Sequence, residues 1–161
     1  NKLKNRLAHI ILITILSYSV SIFANDGKIH PATKLINEAK KEVSAISPKE
    51  LKQLIDNEGE VIVLDVREIL ERSEGQIYAE DTYAMTRGDL EFFILTKIKD
   101  TNALVVTYCR GGTKGVLAAQ TLKKLGYKNA KYLDGGLRAW VNAGYPIETG
   151  LGITRLSPDQ D

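Results

Sequence analysis

Cys109 is the only cysteine among 161 residues, and it opens the stretch Cys109-Arg110-Gly111-Gly112-Thr113-Lys114-Gly115. The run Ala103-Leu104-Val105-Val106-Thr107-Tyr108 before it predicts a buried strand. Val116 to Leu125, stopped by Gly126, predicts an amphipathic helix after it. A turn from strand to helix aims successive backbone N–H groups and the positive helix end at one point. A cysteine held there is expected to react as a thiolate rather than to serve as packing. The amides from Arg110 to Gly115 form a candidate anion nest, with Gly111, Gly112 and Gly115 supplying positive φ and close approach. Arg110 and Lys114 would attract an anionic reactant. The plainer alternative is a glycine-rich turn with an incidental cysteine. It leaves the cations, the unpaired thiol and the strand-end position unexplained.

Several other chemistries are excluded. His9 and His30 are the only histidines, and both lie far from Cys109 in the chain. One Cys and two remote His are too few for a zinc site, so no metal and no cofactor is expected. No histidine stands ready as the base of a Cys-His or Ser-His-Asp triad. Gly112-Thr113-Lys114-Gly115 is not a nucleotide-binding loop, because the Gly-x4-Gly-Lys-Ser/Thr spacing is missing. The cysteine must therefore work without a histidine partner.

The first 24 residues differ in kind from the rest. Lys2, Lys4 and Arg6 form a basic head, Ala8 to Phe23 an apolar run, and Ala24 a small residue at a cleavage point. The pattern predicts a signal peptide over 1–24 and a periplasmic or secreted protein. An uncleaved N-terminal anchor is the alternative. Removing the three basic residues takes the formal net charge from +2 to −1. Nothing that remains resembles the basic stripe of a nucleic-acid binder, and no stable membrane contact is expected after cleavage. In an oxidising compartment a cysteine without a partner is a free reactive thiol by default.

A hydrophobic fraction of 43% and 26% charged residues describe an ordinary globule with room for one domain. Residues 25–43 read as a linker or a peripheral helix, with Lys34 to Glu42 as its solvated face. Ser47-Pro48-Lys49-Glu50 opens a helix running to about Asn57. Val61 to Val66 reads as a strand covered on both faces. A short helix from Glu68 to Ser73, a loop from Gly75 to Asp81 and a short strand at Tyr83-Ala84-Met85 come next. Asp89 then caps a helix over Leu90–Lys97. After the Cys109 segment, Lys131-Tyr132-Leu133 reads as a strand and Leu137–Ala143 as the last helix, with 150–161 as a tail. Strands alternating with helices imply a parallel sheet with helices on both faces.

In such a sheet ligands bind beyond the carboxyl ends of the strands. Cys109, Asp65 with Arg67, Arg87 with Gly88, and Asp134-Gly135-Gly136 all sit there. Two placements suit Asp65 and Arg67: shaping the pocket, or pairing to buttress the strand end. Arg87 either faces the pocket or caps a neighbouring loop. Trp140 and Tyr145 read as packing.

Together, Leu64-Asp65-Val66-Arg67-Glu68, Thr86-Arg87-Gly88-Asp89-Leu90, Tyr108-Cys109-Arg110-Gly111-Gly112-Thr113-Lys114, Leu133-Asp134-Gly135-Gly136-Leu137-Arg138-Ala139-Trp140 and Ala143-Gly144-Tyr145-Pro146-Ile147 resemble the rhodanese-like domain family over residues 44–149. The resemblance implies a three-layer α/β/α domain with a five-stranded parallel sheet. It also implies a sulfurtransferase in which Cys109 takes sulfane sulfur from thiosulfate or a similar donor and passes it, as a persulfide, to a thiol or cyanide-like acceptor. Arg110, Gly111, Gly112, Thr113, Lys114, Gly115, Arg67 and Arg87 would then contact substrate, with Asp65 in support. Lys114 stands where the family commonly has Arg, which keeps the charge but loses the planar fork. Gln76 stands where the family often has His. A sulfur carrier with little thiosulfate turnover is the second reading. A phosphatase or arsenate reductase is the third, and it fails on spacing: Gly115 occupies the position of the arginine such loops carry, and the loop is one residue shorter.

Overall fold

The computed structural model describes residues 29–157. The predicted signal peptide, with its anchor alternative, lies outside them. Among the described residues no helix is long and apolar enough to cross a membrane. The chain divides after Thr33 into two compact units, and the second, Lys34–Asp161, holds both sheets and the Cys109 loop.

The elements run α1 (Pro31–Glu42), β1 (Ser44–Ile46), α2 (Pro48–Asp56), β2 (Val61–Asp65), β3 (Gln76–Ile77), β4 (Thr82–Ala84), α3 (Leu90–Lys97), β5 (Leu104–Tyr108), α4 (Thr113–Lys124), β6 (Lys131–Leu133), α5 (Gly136–Asn142), β7 (Ile147–Thr149) and β8 (Gly152–Thr154). Two 3-10 turns, Ile69–Glu74 and Arg87–Asp89, join β2 to β3 and β4 to α3. Five strands form a sheet in the order β1-β6-β5-β2-β4, and every pairing in it is parallel. The expected five-stranded parallel sheet is present.

Strand alternation explains how the sheet is buried on both faces. Leu64 and Val105 pack with Leu90, Ile94, Ala118 and Leu122 of α3 and α4. Their neighbours Val63 and Val106 point the other way, onto Leu51 of α2 and Leu137 and Trp140 of α5. Trp140 is fully buried, donates its indole N–H to the Pro146 carbonyl at 2.8 Å and meets the Tyr145 ring edge-on at 5.0 Å. Both aromatics are packing residues, as expected.

Helix α2 starts where the sequence placed it. Ser47 accepts from the Glu50 N–H at 3.2 Å and Glu50 accepts from the Ser47 N–H at 2.9 Å, closing a capping box around Pro48. Other boundaries moved. β1 has only three residues and no readable period, and its register with β6 (Ser44 opposite Lys131) comes from the tertiary fold. The expected loop from Gly75 to Asp81 contains β3, which pairs antiparallel with β7, and the first part of the expected tail supplies β8 to the same small sheet. Asp89 makes no side-chain cap to α3; its carboxylate instead accepts from the Thr86 hydroxyl. Residues 31–42 form a full helix that buries Ala39 against Val116, Ala119 and Tyr132.

Candidate active site

Strand β5 ends at Tyr108, and the chain turns within four residues into α4. Gly112 makes this possible with φ +102°, a conformation L side chains rarely adopt. Gly111 and Gly115 do not have positive φ, contrary to expectation. Gly115 matters through proximity: a Cβ there would lie 3.3 Å from the Thr107 carbonyl oxygen of β5.

The thiol of Cys109 is 4% exposed and accepts the Gly112 N–H at 3.2 Å. Among the described residues, no backbone carbonyl accepts from the amides of Arg110, Gly111, Thr113, Lys114 or Gly115. These are the orphan donors of a helix start and its preceding turn. His30, the one described histidine, bonds to the Ala32 N–H at the start of α1. Sγ thus meets the Gly112 amide directly, in a turn whose other amides have no backbone acceptor among the described residues.

A second glycine pair holds the loop from below. The Leu137 N–H donates to the Cys109 carbonyl at 2.8 Å, and the Arg138 N–H to the Arg110 carbonyl at 2.9 Å. At Gly136, φ is +61° and a Cβ would lie 2.4 Å from the Cys109 oxygen, 2.7 Å from the Gly112 nitrogen and 2.8 Å from the Arg110 oxygen. Only hydrogen fits there. The sequence showed Gly135-Gly136 as a strand-end pair; that it forms the seat of the cysteine loop depends on the packing of β6 beside β5.

The cations of the loop are not free. Lys114 Nζ lies 3.2 Å from Glu71 and 3.5 Å from Glu68, and Arg110 Nε lies 3.6 Å from Glu74. Burial disfavours the Lys114 ammonium, but hydrogen bonding and attraction from Glu71, then Glu68, outweigh it and raise its pKa. The Glu71 carboxyl is held below its usual range, first by the Glu68 N–H and then by Lys114, against a smaller opposing effect of burial. The three acids recur every third residue, so one edge of the 3-10 turn presents all of them to the loop. Sequence reading missed this; the spacing Glu68, Glu71, Glu74 was the available signal.

Arg67 is placed away from solvent, with its guanidinium engaged by the protein itself. It is fully buried, and its guanidinium binds Asp65 at 2.7–3.1 Å, the Glu71 carbonyl at 2.9 Å and the Gly75 carbonyl at 2.6 Å. Asp65 also accepts from the Tyr108 hydroxyl at 3.0 Å, and that hydroxyl accepts the Ile77 N–H at 3.2 Å. Burial, followed by the Asp65 charge, pushes the Tyr108 phenol far above its ordinary range, so it stays a neutral donor. This is the geometry of a buttress: the pair ties the 3-10 turn to β2 and β5. Removing one partner of such a buried pair strands the other charge. Arg67→Ala is expected to lose about 3–5 kcal/mol of stability, measurable by urea unfolding. Arg87 pairs with Glu91 one turn on, at 3.3 Å, and among the described residues no hydrogen bond or ion pair links it to the Cys109 loop. It braces the start of α3 rather than the pocket.

The rhodanese-like domain pattern matches residues 47–143. The chain belongs to the rhodanese-like domain family. Among relatives of this rhodanese-like chain, the thiosulfate sulfurtransferase GlpE of Actinobacillus pleuropneumoniae is 31% identical over 108 residues, covering 65% of this chain and 92% of that protein. An uncharacterized Synechocystis protein is 35% identical over 101 residues, covering 63% of this chain but only 54% of its own length. The chain thus spans about half of that relative. In structure it resembles a Rhodopseudomonas palustris protein of unknown function, described as a possible tyrosine phosphatase. That match has a TM-score of 0.66 and 28% identity, covering 75% of this chain and 96% of the other.

Proposed function

We propose that this rhodanese-like protein is a sulfurtransferase in which Cys109 carries sulfane sulfur as a persulfide. The donor is thiosulfate or a similar anion, and the acceptor is a small thiol or cyanide-like nucleophile. The observation that carries the reading is the setting of Sγ: one amide bonded at 3.2 Å, and further amides of the same turn without a backbone acceptor among the described residues. A persulfide is anionic and needs donors rather than a proton-transfer partner. The similarity to GlpE supports the same chemistry.

One observation favours the carrier reading, in which a partner loads Cys109 and thiosulfate is a poor donor. Both cations of the loop are already engaged by glutamates, which lowers the attraction for a dianion. A thiosulfate:cyanide assay on the purified protein separates the two: steady release of thiocyanate fits the enzyme, a single sulfur loaded only by a partner fits the carrier. Lys114→Ala probes the same question. Lys114 is a partly exposed cation in an ion pair, so its loss should change stability by less than about 1 kcal/mol. Turnover with thiosulfate should fall by about tenfold or more, since a positioned cation serves the developing charge of the leaving sulfite. Kinetics equal to the native protein's would leave anion binding to the backbone alone. The basic head and apolar run at 1–24 support export and cleavage near Ala24; the intact mass of protein recovered from cells tests it.

A further inference from the structure

Thr107 puts a hydroxyl on an otherwise apolar strand face. Val105, Thr107 and Cys109 alternate onto the side of β5 covered by α4, where Val105 and Cys109 join the apolar cluster with Ala118 and Leu122. Thr107 is 0% exposed there. A valine would fill nearly the same shape without the cost of burying a hydroxyl. The hydroxyl is kept buried by what it bonds to.

Thr107 Oγ1 donates to the Gly115 carbonyl, in the first turn of α4, at 2.7 Å, and the Lys131 carbonyl of β6 is a longer second acceptor at 3.2 Å. A carbonyl oxygen takes two hydrogen bonds, so this one leaves the helix's own ladder intact. Gly115 lets the turn come this close: a Cβ there would lie 3.4 Å from Tyr108 Cα and 3.6 Å from the Cys109 nitrogen. Within the turn, the Val116 N–H donates to the Gly112 carbonyl at 3.1 Å, and the Gly112 N–H donates to Sγ at 3.2 Å. A side chain two residues before Cys109 thus pins the turn whose amide the sulfur meets.

We propose that Thr107 is a positioning residue: its hydroxyl holds the first turn of α4 at the distance from β5 that brings the Gly112 N–H to Sγ, and so sets how fast Cys109 takes up sulfur. The consequence for rate rests on the sulfurtransferase reading above; the consequence for the contact between Gly112 and Sγ does not. In the uptake the thiolate attacks the sulfane sulfur of thiosulfate, the bond from that sulfur to the sulfonate sulfur breaks, and its electron pair leaves with sulfite. Thr107 touches none of these atoms and moves no proton. Without its hydroxyl, α4 rests on β5 through apolar packing, which resists sliding less than a directional bond.

Two variants separate the hydroxyl from the packing. Thr107→Val keeps the shape and loses the hydroxyl, whereas Thr107→Ser keeps the hydroxyl and loses a buried methyl. Loading of Cys109 by thiosulfate, followed by intact mass, should slow by about tenfold in Thr107→Val, since a misplacement of about 1 Å can cost up to about a hundredfold. Thr107→Ser should load at close to the native rate, although it is the variant that leaves a cavity. The Gly112 amide proton, read by NMR in the unloaded protein, should move upfield in Thr107→Val as its bond to Sγ lengthens, and hold its place in Thr107→Ser. Either an unchanged loading rate or an unchanged Gly112 resonance in Thr107→Val would overturn the proposal. So would a Thr107→Ser slowed as much as Thr107→Val, which would assign the effect to packing. If Thr107→Val does not fold, Thr107→Ser decides alone, because only a packing role predicts that it loads slowly. Failure of the native protein to take up sulfur would instead sink the sulfurtransferase reading, while the Gly112 resonance still decides what Thr107 does.

Discussion

Cys109→Ser is expected to fold normally and to transfer no sulfur. The change is nearly isosteric, and a serine hydroxyl can accept the Gly112 N–H that the thiol accepts now at 3.2 Å. The buried hydroxyl is not left unsatisfied, because that amide remains its partner, so the cost should be about 1 kcal/mol. Catalysis is a different matter. A thiolate attacks sulfur directly, but a serine hydroxyl is not ionised at neutral pH without a base. The only described histidine is at α1, bonded to a backbone amide there. Thiocyanate release should fall to the uncatalysed background while the urea midpoint stays near the native value. Residual turnover in the serine variant would mean that the loop amides, rather than the thiol, carry the chemistry.

Gly136→Ala is expected to damage both stability and activity. The added methyl would lie below 3 Å from three backbone atoms of the cysteine loop, and alanine would also have to adopt φ +61°. Left-handed backbone costs a non-glycine residue about 1–2 kcal/mol, and overpacking against backbone about 1–3 more. The loss should therefore be about 2–5 kcal/mol by urea unfolding. Relief of the clash must push the Cys109 and Arg110 carbonyls away from α5 and so displace Sγ from the helix start. Sulfur loading of the folded fraction should slow with it. Gly111→Ala is the control: a Cβ there meets nothing within 4 Å.

The centre of the sheet was legible because β2 and β5 are long enough to show a pattern. Val61 to Val66 and Leu104 to Tyr108 are continuous apolar runs, as strands buried on both faces must be. The segments that escaped are short. β1, β3, β7 and β8 have two or three residues each, below the length at which alternation is visible, and their pairing is decided by the tertiary fold. Cys109 and its glycine-rich turn could be read locally, since strand, turn and helix start are contiguous. The placement of Arg67 could not. A charged residue at a strand end suits a pocket as well as a buttress. Only the three-dimensional meeting of Asp65, Tyr108 and the Gly75 carbonyl makes it a fully enclosed ion pair. The glutamates around Lys114 and Arg110 are a similar case, because they come from the turn after β2 and reach the loop after β5.

Mass spectrometry of Cys109 after incubation with thiosulfate tests the central claim most directly. One sulfur atom should add to the intact protein, map to the peptide containing Cys109, and leave on addition of cyanide with release of one equivalent of thiocyanate. The serine variant should show neither step. Absence of the adduct on native, reduced protein, or an adduct that cyanide does not remove, would contradict persulfide transfer at this site.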